Sequence, residues 1–208
     1  GKVISAPTAD SRISGGAQIS GDFTQESAAA LANVLKYGSL PVSLEVSSVE
    51  QVSPTLGQDQ LDAGLTLTSA ESCTGGLHSS RLTEAPGSSR FFDRGFVTYS
   101  NIAKGDMLRV SAATIARHGV VSAEAVAEMT MGVLEHSCAD VTLAVSGIAG
   151  PDGGSSDKPV GTICLAWALR EGPIRTERRH FPGNRDEIRS ASVAAALQGV
   201  LDAFAPHY

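Results

Sequence analysis

Residues 65–76 have the sequence LTLTSAESCTGG, and this stretch decides the fold. The apolar and β-branched residues from Leu65 to Ala70 predict a strand, and Gly75-Gly76 predict a tight turn into a helix that ends at Thr83. A strand followed by a glycine-rich turn and a helix is the repeating unit of α/β folds. We therefore predict an α/β fold with a ligand site where this strand ends.

The chain after this unit continues to alternate strands with helices. Hydrophobic periodicity predicts strands over 96–99, 141–145, 160–169 and 176–180, and helices over 101–109, 122–134 and 186–204. Such alternation implies a sheet with helices on both faces, which is a three-layer α/β/α arrangement.

The turn after the first strand carries three candidate nucleophiles, the hydroxyls of Ser69, Ser72 and Thr74. Backbone N–H groups at the start of a helix can bind an anion or stabilise an oxyanion. The competing interpretation is structural, because glycines in such turns commonly serve only the backbone conformation.

Three later motifs also carry groups suited to chemistry. In YSNIAK, residues 99–104, a desolvated lysine amine could act as base toward a serine hydroxyl, although a solvated surface lysine is the plainer interpretation. The loop SGIAGPDGG, residues 146–154, is either a ligand edge at a strand end or an ordinary turn. Arg185, in FPGNRD, is either a clamp for a phosphate or carboxylate or a partner in a surface salt bridge.

Taken together, the motifs are far more specific than any one alone. AESCTGG, GFVTYSNxAK, SGIAGPDGG, KPVGT and FPGNRDEIR resemble the C-terminal domain of the competence/damage-inducible CinA family, which also occurs alone as the PncC-type nicotinamide-nucleotide amidase. The resemblance covers about residues 64–205 and includes the spacing from Ser72 to Lys104. It implies a three-layer amidase domain over residues 65–208.

The resemblance also implies roles for particular residues. Ser72 is then the nucleophile and Lys104 its base, while Tyr99 and Arg185 line the site and Tyr99 relays a proton to the departing ammonia. We expect backbone N–H groups from Cys73 to Gly76 to hold the oxyanion. The predicted substrate-binding residues are Thr74, Gly75, Gly76, Ser146, Gly147, Gly150 and Arg185. The implied reaction is deamidation of nicotinamide mononucleotide to nicotinate mononucleotide and ammonia, with no metal and no redox cofactor.

Residues 1–64 do not belong to that family. Their pattern of short strands and a helix over about 25–36 predicts a small α/β appendage. The segment resembles the end of the extracytoplasmic domain of the protein-export component SecD, so the chain has the pattern of two joined, unrelated genes. The amidase family normally begins with a long amphipathic helix, and only Pro54 to Ala63 is available here to replace it.

Composition and charge limit the classes of partner. The net charge of −6 provides no basic field for nucleic acid, and no apolar run approaches the roughly 20 residues of a membrane helix. Three cysteines, an odd number without metal-ligand spacing, suit a reducing compartment, so we predict a cytoplasmic location. The chain opens Gly1-Lys2 without Met or a signal peptide, which we interpret as a fragment.

We therefore expect a small-molecule substrate, no nucleic-acid partner and no membrane partner, and the sequence is compatible with a homo-oligomer. Two other functions stay open at this point. One is a catalytically silent family member that binds a nucleotide or acts as a scaffold. The other is a protein-export interaction fragment whose function lies in residues 1–64.

Overall fold

The computed structural model describes residues 64–204. The predictions for the SecD-like segment and for the replacement helix at Pro54–Ala63 lie outside the described residues.

Five strands form one mixed sheet. They are β1 (Leu67–Glu71), β2 (Phe92–Val97), β3 (Val141–Gly147), β4 (Thr162–Leu169) and β5 (Arg175–His180). Their order across the sheet is β2-β1-β3-β4-β5. β1 is parallel to β2 and β3, whereas β4 is antiparallel to β3 and β5 is antiparallel to β4.

In the described part of the chain, five α-helices cover the two faces of this sheet. They are α1 (Leu77–Thr83), α2 (Asn101–Leu108), α3 (Ala112–His118), α4 (Ala123–Glu135) and α5 (Arg185–Phe204), and a short 3-10 turn spans Ser88–Arg90. Within residues 64–204, no helix is both long enough and apolar enough to cross a membrane.

Two apolar clusters, one on each face of the sheet, hold the layers together. One face of the inner strands packs against α1 and α5, through Leu67, Leu143, Leu165, Leu82, Ile188 and Leu197. The other face packs against α2 and α4, through Ala70, Ala144, Ala166, Leu108, Val126 and Met129. Both faces of β3 are buried, which explains its largely apolar sequence, whereas β1 is buried although Thr68, Ser69 and Glu71 are polar. The predicted three-layer α/β fold is confirmed.

The structure corrects the prediction of a strand over Phe96–Tyr99. β2 instead spans Phe92–Val97, because its register with β1 pairs Leu67 with Phe92 and Glu71 with Val97. β2 is an edge strand with mostly exposed side chains, so the period-two apolar pattern that marks a half-buried strand is absent from its first residues. Thr98 and Tyr99 therefore lie beyond the sheet.

Helix α3 was not among the predicted elements, although the sequence carries both of its boundary signals. The Ser111 side chain accepts a hydrogen bond from the N–H of Ala113 and begins the helix. Gly119, with φ of 78°, ends it.

Helix α2 determines where Lys104 lies. The Ser100 side chain begins this helix by accepting a hydrogen bond from the N–H of Ala103. Lys104 follows within the first turn and is only 1% exposed, so its amine lies inside the protein at the edge of the sheet.

Candidate active site

Three strand ends meet at one edge of the sheet and form a cleft. Because β1 runs parallel to both of its neighbours, the residues that follow β1 and β2 and those at the end of β3 share this edge. The cleft has a volume of about 210 Å³, and its walls are Ser72, Cys73, Tyr99, Asn101, Lys104, Val120, Val121, Ser146, Gly147, Ala149 and Arg185.

The structure brings Ser72 and Lys104 together in this cleft. Lys104 Nζ is hydrogen-bonded to Ser72 Oγ at 2.9 Å, and it also donates to the carbonyl oxygens of Thr98 at 2.8 Å and Tyr99 at 3.3 Å. Burial lowers the pKa of Lys104, and among the described residues no carboxylate forms an ion pair with it. A neutral amine would use its two N–H groups on these carbonyls and direct its lone pair at the Ser72 hydroxyl.

The other two candidate hydroxyls occupy different surroundings. Ser69 is fully buried, and its hydroxyl has no hydrogen-bond partner among the described residues. The Thr74 hydroxyl donates to Glu71 Oε2 at 2.9 Å. Of the three, only Ser72 lies beside the amine of Lys104.

Tyr99 and Arg185 lie together at the mouth of the cleft. Arg185 Nη2 donates to the Tyr99 hydroxyl at 3.1 Å, and Arg185 Nη1 donates to the carbonyl oxygen of Gly150 at 2.7 Å. Tyr99 is 61% exposed, so the pair can meet a ligand from solvent.

The loop after β3 forms the opposite wall. The Ser146 hydroxyl donates to the carbonyl oxygen of Val120 at 2.7 Å and so fixes the segment that carries two of the apolar walls. Gly147 allows close packing here, since a Cβ on it would lie 2.2 Å from Ile163 Cδ1 and 3.1 Å from Cys73 Sγ. Gly150 is not one of the cleft walls. It contributes through its carbonyl oxygen, which accepts a hydrogen bond from Arg185 Nη1.

Thr74, Gly75 and Gly76 lie in the turn that follows Ser72 along the chain, and none of them is among the cleft walls. Gly75 and Gly76 have φ of 59° and 95°, a conformation that favours glycine. The Gly75 N–H donates to the carbonyl oxygen of Ser72 at 3.2 Å, and the Gly76 N–H donates to Glu71 Oε2 at 3.0 Å. The substrate-binding role of these three residues stays a prediction.

Sequence reasoning gave no role to Glu71 or Arg189, which both contact the turn. Glu71 is fully buried at the end of β1, and a carboxylate directly after a predicted buried strand is itself a signal. Burial alone would raise the pKa of Glu71, but hydrogen bonds and the charge of His78, with backbone hydrogen bonds from His78 and Ser79, lower it to about 2. Arg189 lies one helical turn after Arg185, so spacing alone places both on one face of α5.

Cys73 also lines the cleft but is a poor nucleophile. Burial raises the pKa of its thiol to about 11 despite the nearby charges of Lys104, Arg185 and Arg189, so the thiol stays protonated near neutral pH. Within residues 64–204, no three His, Cys, Asp or Glu side chains are grouped as metal ligands.

Comparison with known proteins identifies the families that the two parts of this chain resemble. The family model of the CinA C-terminal domain matches residues 49–204, and that of the SecDF P1 head subdomain matches residues 1–42, which confirms both resemblances. The Escherichia coli K12 protein named nicotinamide-nucleotide amidohydrolase PncC is 48% identical over 158 residues, covering 76% of this chain and 96% of that protein. A CinA-like protein of Citrifermentans bemidjiense is 52% identical over 136 residues, covering 65% of this chain and 33% of that protein.

Solved structures give the same result. The competence/damage-inducible protein CihA of Agrobacterium tumefaciens superposes with a TM-score of 0.72 at 43% identity, covering 77% of this chain and 98% of that chain. The competence damage-inducible protein A of Klebsiella pneumoniae gives 0.73 at 36% identity, covering 76% and 98%. Because the family model spans most of the chain and the fold agrees, this chain belongs to the CinA C-terminal domain family.

Proposed function

We propose that this chain hydrolyses the carboxamide of nicotinamide mononucleotide to nicotinate mononucleotide and ammonia. The similarity to proteins named nicotinamide-nucleotide amidohydrolase supports the substrate. The observation that carries the chemistry is the buried amine of Lys104, 2.9 Å from Ser72 Oγ and without a carboxylate partner among the described residues.

In the first half of the proposed reaction, neutral Lys104 takes the Ser72 proton while Ser72 Oγ attacks the carboxamide carbon. The carbonyl oxygen becomes an oxyanion, which backbone N–H groups of the turn after Ser72 stabilise. The C–N bond then breaks, and the leaving nitrogen receives the proton from Lys104, relayed by Tyr99. The products of this half are ammonia and an acyl ester on Ser72.

In the second half, water replaces ammonia. Lys104 takes a proton from the attacking water, the ester bond breaks, and Ser72 regains its proton as the acid leaves. The two carbonyl oxygens that accept from Lys104 Nζ keep the amine aimed at Ser72 throughout both halves.

Substrate recognition divides along the cleft. The apolar side chains of Val120, Val121 and Ala149 suit the flat face of a pyridine ring beside the nucleophile. Arg185 at the mouth supplies a guanidinium for the phosphate, which is the ligand that its fork geometry matches.

We propose a cytoplasmic enzyme that requires neither nucleic acid nor a membrane.

We further propose that residues 65–208 form the amidase domain and that residues 1–64 contribute nothing to the chemistry. Residues 1–64 contain none of the four motifs that carry the candidate site residues. The family match begins at residue 49, so residues 49–64 fall where the family's first helix is expected.

Mass-spectrometric detection of nicotinate mononucleotide, with ammonia measured in parallel, tests the proposal on purified protein supplied with nicotinamide mononucleotide. We expect the two products in equal amounts. A folded protein that binds the nucleotide but releases neither product would instead be the silent binding module.

A further inference from the structure

Thr74 is hydrogen-bonded to two charged side chains that the proposed reaction does not otherwise use. Its hydroxyl donates to Glu71 Oε2 at 2.9 Å. Its carbonyl oxygen accepts from Arg189 Nη2 at 2.8 Å and from the N–H of Leu77 at 3.3 Å. The hydroxyl and the carbonyl of Thr74 are therefore both fixed by residues that are not cleft walls.

Glu71 is the more deeply buried side of this arrangement. Besides the Thr74 hydroxyl, its carboxylate accepts from the N–H groups of Gly76, His78 and Ser79 at 3.0 Å each and from the Ser79 hydroxyl at 2.9 Å. His78 Nδ1 lies 3.3 Å from Oε2. So many donors hold the carboxylate in one position and stabilise its negative charge.

Arg189 is the accessible side. Its side chain is 28% exposed, and its nearest carboxylate oxygen, on Asp186, is 3.6 Å from Nη1, which is longer than a hydrogen bond. The bond to the Thr74 carbonyl at 2.8 Å is therefore its close polar contact among the described residues.

The backbone N–H groups of this turn divide into two sets. Those of Ser72, Gly75, Gly76 and Leu77 donate to protein oxygens. Those of Cys73 and Thr74 have no oxygen acceptor within residues 64–204, although both residues are buried, and the Cys73 N–H has only its own thiol nearby. A buried N–H without an acceptor is costly unless a ligand or water supplies one.

We propose that Glu71 and Arg189 act as positioning residues that clamp Thr74, and so present the N–H groups of Cys73 and Thr74 to the developing oxyanion. This inference rests on the proposed function. It narrows the expected oxyanion donors from four residues to two, because the Gly75 and Gly76 N–H groups are already engaged. The clamp affects the transition state and not the binding of the ground-state substrate.

Thr74→Val and Arg189→Met each remove one side of the clamp while keeping side-chain volume. Arg189→Lys keeps the charge and a donor. Thr130→Val, which removes another fully buried threonine hydroxyl, and Asp186→Asn, which removes the distant partner of Arg189, are the matched controls. Two rates are measured: turnover of nicotinamide mononucleotide, and covalent labelling of Ser72 by a fluorophosphonate, in which the Oγ–P bond forms and fluoride leaves.

We expect kcat and the labelling rate to fall by about tenfold or more in Thr74→Val and Arg189→Met, since removing an oxyanion donor outright costs about 10²–10³-fold. KM should stay within about threefold, and the pH dependence set by Lys104 should not move. Arg189→Lys should recover part of the loss, and the controls should behave as wild type. The double variant should lose less than the product of the single losses, because both changes act on the position of the same residue, Thr74.

Folded variants that keep both rates, or that change only KM, would overturn the clamp, as would equal losses in the controls. If Thr74→Val fails to fold, the accessible Arg189 variants decide. Wild-type protein that labels but does not deamidate would refute the proposed function, and the labelling rates would then decide the clamp. Protein that neither labels nor deamidates refutes both.

Discussion

The protonation state of Lys104 is the property of a single residue on which the proposed chemistry depends. Burial lowers its pKa, so the neutral amine becomes available at a lower pH than for a solvated lysine. A base acts only when deprotonated, so kcat should rise with pH along a single limb and level off above the depressed pKa. A pH profile of turnover checks this, and a rate that falls as pH rises through the same range would contradict it.

At the residue scale, the sequence predicted the reacting side chains of the site better than the residues that hold them in position. The spacing of Ser72 and Lys104 was informative because the two side chains meet directly, at 2.9 Å. The contact of Glu71 with Thr74 is local, three residues along the chain, but the contact of Arg189 with Thr74 spans 115 residues and depends on how α5 packs beside the turn, which no local pattern in the sequence encodes.

At the scale of elements, the close approach of β3 to the turn after Ser72 depends on Gly147. In Gly147→Ala, the new Cβ would lie 2.2 Å from Ile163 Cδ1, 3.0 Å from the carbonyl oxygen of Thr162 and 3.1 Å from Cys73 Sγ. We expect a loss of about 1–3 kcal/mol in the free energy of unfolding, typical of overpacking, together with reduced turnover. Urea unfolding and steady-state assays measure the two effects.

Gly105→Ala is the control for that substitution. Gly105 lies in α2, and a Cβ there meets only the carbonyl oxygen of Val110, at 3.7 Å. We expect about 0.5–1 kcal/mol of added stability, since alanine favours a helix over glycine. Equal destabilisation by both substitutions would show that the close approach at Gly147 has no special role.

The elements themselves were predictable where burial was strong. β1, β3 and β4 are buried along nearly their whole length, and runs of apolar and β-branched residues marked them. The bounds predicted for β2 were wrong because its exposed side chains carry no such pattern. Its bounds are set by its pairing with β1. The position of this strand end matters for the site. Thr98 and Tyr99 lie beyond β2, and their carbonyl oxygens accept hydrogen bonds from Lys104 Nζ.

At the scale of the whole molecule, the two family matches divide the chain. The SecDF P1 head match ends at residue 42 and the CinA match begins at residue 49. We expect deletion of residues 1–50 to leave turnover within about twofold, because a domain with its own core folds and functions independently. Deletion of residues 1–64 should lower stability by removing a segment that the family match includes.

Circular dichroism and turnover of the two deletion proteins check this expectation. A protein lacking residues 1–50 that stays folded but loses turnover would make the first segment part of the enzyme. The motifs predicted the family and the fold of the larger part because their combination is far more specific than any one motif alone. Charge and composition carried no comparable information about the first 64 residues.

The most direct test of a serine-lysine amidase compares three purified variants with wild type by mass-spectrometric detection of nicotinate mononucleotide. Ser72→Ala should lose several orders of magnitude in turnover while still binding substrate, and Ser69→Ala should remain active. Lys104→Arg should be nearly inactive although it keeps the charge, because a guanidinium does not give up a proton at working pH. An active Lys104→Arg enzyme, or an active Ser72→Ala beside an inactive Ser69→Ala, would contradict the account.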